Sequence, residues 1–135
     1  MTGHQWWWEF RYPEYGIITA NEIYIPTGRT VNFKLTSVDV IHSFWVPSFY
    51  EKLDVIPGRH NSLQLTPTTE GIFAGRCAEL CGTYHSAMLF NVHVVSESDY
   101  NAYLKTLVAK GQTGEAKGPA LANSPVKTGS EEGTR

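Results

Sequence analysis

No run of about 18 apolar residues occurs in this sequence, so it offers no segment able to cross a bilayer as a helix. Runs of lysine or arginine are missing too. The formal net charge is only −2 at pH 7, which excludes the strongly cationic surface that nucleic acid requires. A charged start followed by an apolar stretch, the mark of a secretory leader, is also lacking, since Met1 and Thr2 run straight into Gly3-His-Gln-Trp-Trp-Trp8. So abrupt a start favours a piece of a longer chain over a cytosolic protein. Cysteine is scarce: Cys77 and Cys81 are too few for a disulfide framework, and their closeness marks either chemistry or one short loop. Cys-x-x-Cys-His is absent, which excludes a c-type haem attachment here. No internal repeat is visible.

What is present describes a folded β protein. The 135 residues suffice for one domain with a core, and at 41% hydrophobic and 13% aromatic the composition is globular rather than disordered. Short runs of alternating or β-rich character recur, separated by proline, glycine and asparagine. From Trp8 onward Trp8, Phe10 and Tyr12 share a face, and strands are expected at Glu22–Ile25, Thr30–Thr36, Val40–Val46, His60–Thr66, Gly71–Arg76 and Leu89–Val95. Such spacing predicts an antiparallel sandwich or barrel. One helix is expected at 97–109, with Ser96 as its N-cap, Asp99 three residues on, and Tyr100, Tyr103, Leu104, Leu107 and Val108 at helical spacing. From Gly111 the composition turns to Gly, Ser, Thr, Ala and Pro. The expected organisation is a domain over 1–110 and a flexible tail or linker over 111–135.

The chemistry concentrates in Cys77-Ala-Glu-Leu-Cys81-Gly-Thr-Tyr-His85-Ser-Ala-Met88. Two thiols, an imidazole and a thioether lie within twelve residues, and soft sulfur ligands with imidazole favour copper. The segment joins two strand candidates, as a ligand-bearing loop on a rigid scaffold does. A further imidazole is needed, and His42 in Asp39-Val-Ile-His-Ser-Phe-Trp-Val-Pro47 is the best candidate. One cysteine would make a mononuclear blue site with two histidines and an axial methionine. A second cysteine allows two thiolates to bridge two copper ions. Two coppers sharing one hole would neutralise the two thiolate charges that burial otherwise penalises.

Cys-x-Glu-x-Cys-x-x-x-His-x-x-Met resembles the binuclear-copper (CuA) signature of cytochrome c oxidase subunit II. The likeness extends to Gly3-His-Gln-Trp-Trp-Trp8, to the His42 segment and to Lys52-Leu-Asp-Val-Ile-Pro-Gly-Arg59, and so covers about residues 3–95. The resemblance implies a cupredoxin-like Greek-key β-sandwich or barrel with one short C-terminal helix. It implies that Cys77 and Cys81 bridge two coppers, that His42 and His85 each bind one, and that Met88 and the Glu79 backbone carbonyl are weak ligands. Trp6 would be the point at which electrons arrive from cytochrome c, and His85 their exit toward the haem-copper subunit I. The Glu79 side chain would reach a magnesium site at the boundary with subunit I, which needs ligands from that chain. The native place is the periplasmic, outer face of a bacterial inner membrane, reached through membrane helices this sequence lacks. The domain would carry electrons and not reduce oxygen by itself. Before copper arrives the thiols would tend to oxidise, so dependence on a thiol-reducing copper chaperone is expected during assembly.

Other readings leave something over. A type 1 copper site gives the second cysteine no role. A Cys₂His₂ zinc site leaves Met88 without one. A helix would place the four donors on one stripe, but Gly82 and the flanking strands oppose it. The related domain of nitrous oxide reductase has Trp where Glu79 stands and lacks the Gly-His-Gln-Trp opening. His4, His60 and His93 lack neighbouring ligand types and are expected to be non-ligands. Of the three adjacent tryptophans, one or two at most are expected to face inward if the run is extended, and an exposed one would mark a contact surface.

Overall fold

The computed structural model describes residues 1–113. Ten strands and one helix follow in chain order: β1 (Thr2–His4), β2 (Trp7–Tyr12), β3 (Ile17–Ala20), β4 (Glu22–Pro26), β5 (Val31–Ser37), β6 (His42–Val46), β7 (Glu51–Val55), β8 (Asn61–Leu65), β9 (Gly71–Cys77), β10 (Leu89–Val95) and α1 (Glu97–Ala109). They form two five-stranded sheets, β3-β2-β1-β5-β8 and β4-β10-β9-β6-β7, that face each other as a half-barrel. Most pairings are antiparallel, as expected. Two are not: β1 runs parallel to β5 and β4 parallel to β10. Both pairs are joined by long excursions through other strands, the only way parallel neighbours can be connected.

The core follows the period-two pattern of the sequence. Trp8, Phe10 and Tyr12 of β2, Phe33 and Leu35 of β5, and Phe90, Val92 and Val94 of β10 all point into the space between the sheets. Leu63 and Leu65 of β8 are half-buried at its margin. Phe90 stands at the centre, stacked on Phe44 with ring centroids 4.9 Å apart and edge-on to Trp8 and Phe10. The ring lies directly over Gly75, where no side chain could fit.

Helix α1 occupies the span expected from its spacing. The Ser96 hydroxyl accepts from the Asp99 amide at 3.1 Å, as its cap position requires. Leu104 and Leu107 are buried and Tyr103 stacks on Tyr24 of β4, but Val108 is 52% exposed, on the far side of the stripe. Residues 111–113, assigned by composition to the tail, still touch the domain: the Gln112 carbonyl accepts from Ile18, and Thr113 bridges Ile17. The rest of the expected tail lies outside the described residues.

Three strands escape the sequence pattern. β1, β3 and β7 are short or carry mixed polarity, and only their neighbours in the sheets make them strands. β6 begins at His42, two residues later than expected, so Val40 and Ile41 belong to an exposed loop.

All three adjacent tryptophans are buried, but only Trp6 and Trp8 join the central core, within the one or two expected to face inward. The alternation rule applies only to Trp7 and Trp8, because Trp6 lies in the turn between β1 and β2. Trp8 enters the core. Trp7 takes the opposite face and is covered by His4, with ring centroids 3.9 Å apart. His4 in turn bonds Glu9 at 3.0 Å, and Arg11 bonds the other carboxylate oxygen. Burial of Glu9 opposes its ionisation, but these two partners outweigh it and hold its pKa below the usual carboxylate range.

Candidate metal centre

Three loops meet at one end of the half-barrel. The turn after β1 brings Gln5 and Trp6, the loop after β5 brings Asp39 and leads into His42, and the loop from β9 to β10 carries Cys77 to Met88. Hydrogen bonds tie them together. The Gln5 amide N–H donates to Asp39 Oδ2 at 2.7 Å, and the Gln5 side chain and Trp6 Nε1 both donate to the Cys81 carbonyl, at 2.9 and 3.2 Å. Trp8 Nε1 reaches the Met88 carbonyl at 3.3 Å. The loop is therefore pinned from below by two indoles.

Every donor expected from the sequence converges here. The two sulfurs, Cys77 Sγ and Cys81 Sγ, stand 3.8 Å apart. His42 Nδ1 is 3.9 Å from Cys77 Sγ, and His85 Nδ1 is 3.5 Å from Cys81 Sγ. Met88 Sδ lies 3.8 Å from Cys81 Sγ, and the Glu79 carbonyl oxygen 3.1 Å from Cys77 Sγ. His42, Cys77 and Cys81 form the group of protein donors close enough together to hold a metal ion among the described residues. The ring of six donors is thus a pair of sulfurs with one imidazole beside each and one weak donor beside each. The Glu79 side chain takes no part and is exposed.

Electrostatics sharpen this picture. The two thiols are within hydrogen-bond reach of each other, so the ionisation of one opposes that of the other. The Cys77 thiol is pushed down to about 3, first by its hydrogen bond with Cys81 and further by His42, against the opposing effect of burial. Cys81 is pushed up, because a second negative charge beside the first is opposed by that same contact and by burial. Positive charge placed between them would favour the ionisation of both.

Asp39 is a residue whose role the sequence reading missed. Its Oδ1 accepts from His42 Nε2 at 2.8 Å, so in the neutral ring the lone pair sits on Nδ1, the nitrogen that faces Cys77. Burial alone would lower the His42 pKa, but the hydrogen bonds to Asp39 and Cys77 hold it above the ordinary value. An acid three residues before a candidate ligand is the signal that could have found it. Asp39→Ala removes this support, and a fall of about 10–100-fold in copper affinity is expected from competitive titration, with the fold unchanged by circular dichroism. An unaltered affinity would mean that His42 is held by its burial alone.

Gly82 explains the setting of Trp6. Its φ of +128° suits glycine, and a side chain there would come within 2.7 Å of the Trp6 ring. Trp6 is 2% exposed and lies edge-on to Tyr84 at 5.3 Å. It is therefore not the exposed tryptophan that the contact-surface argument required. His93, on the outer face of β10, stacks on Tyr24 and bonds Glu22 at 2.6 Å, well away from the sulfurs. His4 is engaged with Glu9, and His60 is exposed in the loop before β8.

A family model described as cytochrome C oxidase subunit II, periplasmic domain, matches residues 16–95. The chain belongs to the cytochrome c oxidase subunit II family. A probable cytochrome c oxidase subunit 2 of Streptomyces avermitilis is 62% identical over 92 residues, covering 68% of this chain and 29% of that protein. Across relatives such as this and the subunit of Bacillus sp. strain PS3, the chain spans 29 to 36% of their length. The crystal structure of the periplasmic domain of subunit II (CoxB) of Bradyrhizobium japonicum superposes with a TM-score of 0.77 at 32% identity, covering 81% of this chain and 91% of that one. A second crystal structure, of a mixed-disulfide intermediate between a thioredoxin-like protein, TlpA, and subunit II of cytochrome c oxidase, gives a TM-score of 0.72 at 31% identity, covering 81% of this chain and 88% of that one. The half-barrel is the cupredoxin-like fold expected from the sequence, and the His42, Cys77 and Cys81 group within it is compatible with a copper site.

Proposed function

We propose that this chain is the electron-accepting domain of a terminal oxidase, holding a binuclear copper centre on the periplasmic face of the membrane. The observation that carries the proposal is the pairing of donors: two sulfurs 3.8 Å apart, each with its own imidazole nitrogen within 3.9 Å. A single type 1 copper would leave one sulfur over, and a single zinc ion bound by both cysteines and both histidines would leave Met88 over. In this reading Cys77, Cys81, His42 and His85 would hold the copper pair, with Met88 and the Glu79 carbonyl as its weaker ligands. The copper pair supplies a one-electron couple. The protein keeps the donors fixed, since His42 is held by Asp39 and the loop by Trp6, Trp8 and Gln5, so little needs to move when the charge changes.

Trp6 gives electrons from a cytochrome c-like donor a path inward. Its indole N–H bonds the carbonyl of Cys81, one of the copper-holding residues in this reading, so ring and sulfur are linked through one hydrogen bond and a few covalent bonds. A buried Trp6 serves this role through the thin cover of Gly82 and Tyr84 rather than by direct contact. Subunit I of the oxidase would receive the electron, and oxygen chemistry would lie there.

Copper per chain, read together with the visible spectrum of the oxidised protein, tests the proposal. About two coppers and a purple, thiolate-rich spectrum are expected. One copper with a blue spectrum, or zinc in its place, would overturn it.

The same sulfur pair makes copper loading depend on redox state. Sulfurs this close can close into a disulfide with modest movement, and a disulfide offers no thiolate. Air-oxidised chain is therefore expected to take up less than about a tenth of the copper taken up by thiol-reduced chain. Equal uptake by both forms would refute this dependence.

A further inference from the structure

The imidazole of His42 is fully buried, and its neighbours hold it from several sides. Asp39 Oδ1 lies 2.8 Å from Nε2, and Cys77 Sγ lies 3.9 Å from Nδ1. Val55 of β7 is its partner across the sheet, and the Trp8 ring is tilted to it with centroids 6.1 Å apart. Strand β1 closes on the same ring with bare backbone. A Cβ on Gly3 would stand 2.8 Å from His42 Cδ2, 3.3 Å from Cγ and 3.4 Å from a Val55 methyl. The first of these lies well inside the separation at which carbon atoms pack. Gly3 is not among the glycines with positive φ, so contact rather than backbone freedom calls for glycine here.

Neither partner in this contact gives way without loss. Turning the imidazole takes Nε2 away from Asp39 and Nδ1 away from Cys77. Moving β1 strains a second set of bonds. The Gly3 carbonyl accepts from the Val38 amide at 3.2 Å, and the Gln5 amide donates to Asp39 Oδ2 at 2.7 Å. The short segment that touches the ring therefore also anchors the loop that brings Asp39. Its next groups, the Gln5 side chain and the Trp6 indole, reach the Cys81 carbonyl, so one segment registers both halves of the donor ring.

We infer that Gly3 is a positioning residue for His42: with no side chain there, β1 lies against the imidazole and sets the plane in which Nδ1 faces Cys77. An added methyl is expected to displace the ring while every donor atom stays in the chain. The consequence for copper rests on the proposed function. The placement of the ring does not, and it is read in the metal-free 135-residue chain.

Gly3→Ala is compared with His4→Ala by nuclear magnetic resonance of ¹⁵N-labelled chain. The His4 side chain lies on the opposite face, against Trp7 and Glu9, so its loss weakens β1 without touching His42. In the parent the proton on His42 Nε2 is expected to exchange slowly with water. Gly3→Ala is expected to speed that exchange at least about tenfold and to weaken copper binding about 10–100-fold. His4→Ala is expected to lower the thermal midpoint by about 4 °C or more, yet to keep the exchange within about threefold of the parent. Equal acceleration in both variants would overturn the inference, by making strand stability the cause. Unchanged exchange in a folded Gly3→Ala chain would overturn it as well. The parent chain supplies a check that needs no variant: a nuclear Overhauser contact between Gly3 Hα and His42 Hδ2 is expected, and its absence would also be decisive against the inference. Faster exchange in Gly3→Ala beside a parent that fails to bind two coppers would uphold the role of Gly3 and remove the proposed function instead.

Discussion

Cys81→Ser is expected to reduce copper from about two per chain to at most one and to abolish the purple spectrum, while the far-ultraviolet circular dichroism stays that of the parent. Cys81 is the hub of the donor ring: its sulfur lies 3.8 Å from Cys77 Sγ, 3.5 Å from His85 Nδ1 and 3.8 Å from Met88 Sδ. Serine keeps the shape of the side chain but offers a hard oxygen whose proton is not released at neutral pH, so the copper pair loses one of its two thiolate anions. The loop is tied down by the backbone carbonyl of Cys81, which serine retains, so its fold survives. Met88→Leu is the contrast. It removes a weak ligand from a fully buried position at nearly constant volume, and copper content and colour are expected to remain with the absorption bands shifted. A Cys81→Ser chain that still binds two coppers and stays purple would remove the Cys81 thiolate from the proposal.

Gly75→Ala is expected to destabilise the metal-free domain by about 3 kcal/mol or more, at the upper end of what overpacking costs. In a domain of this size that lowers the thermal midpoint by about 10–20 °C. The added Cβ would stand 2.1 Å from Phe90 Cζ and 2.2 Å from Cε2. Phe90 cannot step aside, because Trp8, Phe10 and Phe44 enclose its ring. Backbone freedom is not the reason for glycine here, since Gly75 lies in a regular strand at ordinary dihedrals. Gly75→Ala combined with Phe90→Leu should recover part of the loss, and a double variant no more stable than Gly75→Ala alone would show that the contact is not the cause. Calorimetry of the three chains decides between these outcomes. Because β9 ends at Cys77, a distorted strand at Gly75 is also expected to weaken copper binding.

The candidate donor set could be proposed from the sequence because chemistry and spacing coincide in one loop. Two cysteines, a histidine and a methionine between two strands leave few alternatives, and His42 was the one upstream histidine in the right setting. The major strands and α1 were legible for the same kind of reason: strict period two, period 3.6, and a serine cap. Asp39 and Gln5 were not, because a carboxylate and an amide in loops carry no periodicity, and their roles exist only across the gap between loops. Strands β1, β3 and β7 were not, because pairing with neighbours, rather than their own residues, makes them strands.

The sequence by itself determined the fold class, the segment that carries the chemistry and the kind of metal it suits, since local pattern and ligand type are properties of residues and their spacing. Tertiary structure alone decided that each sulfur has its own imidazole, that Nδ1 of His42 is the nitrogen presented, and that all three tryptophans are buried. Those facts depend on distances between residues up to 80 positions apart in the chain, as between Trp8 and Met88, and such distances are set by the closing of the two sheets.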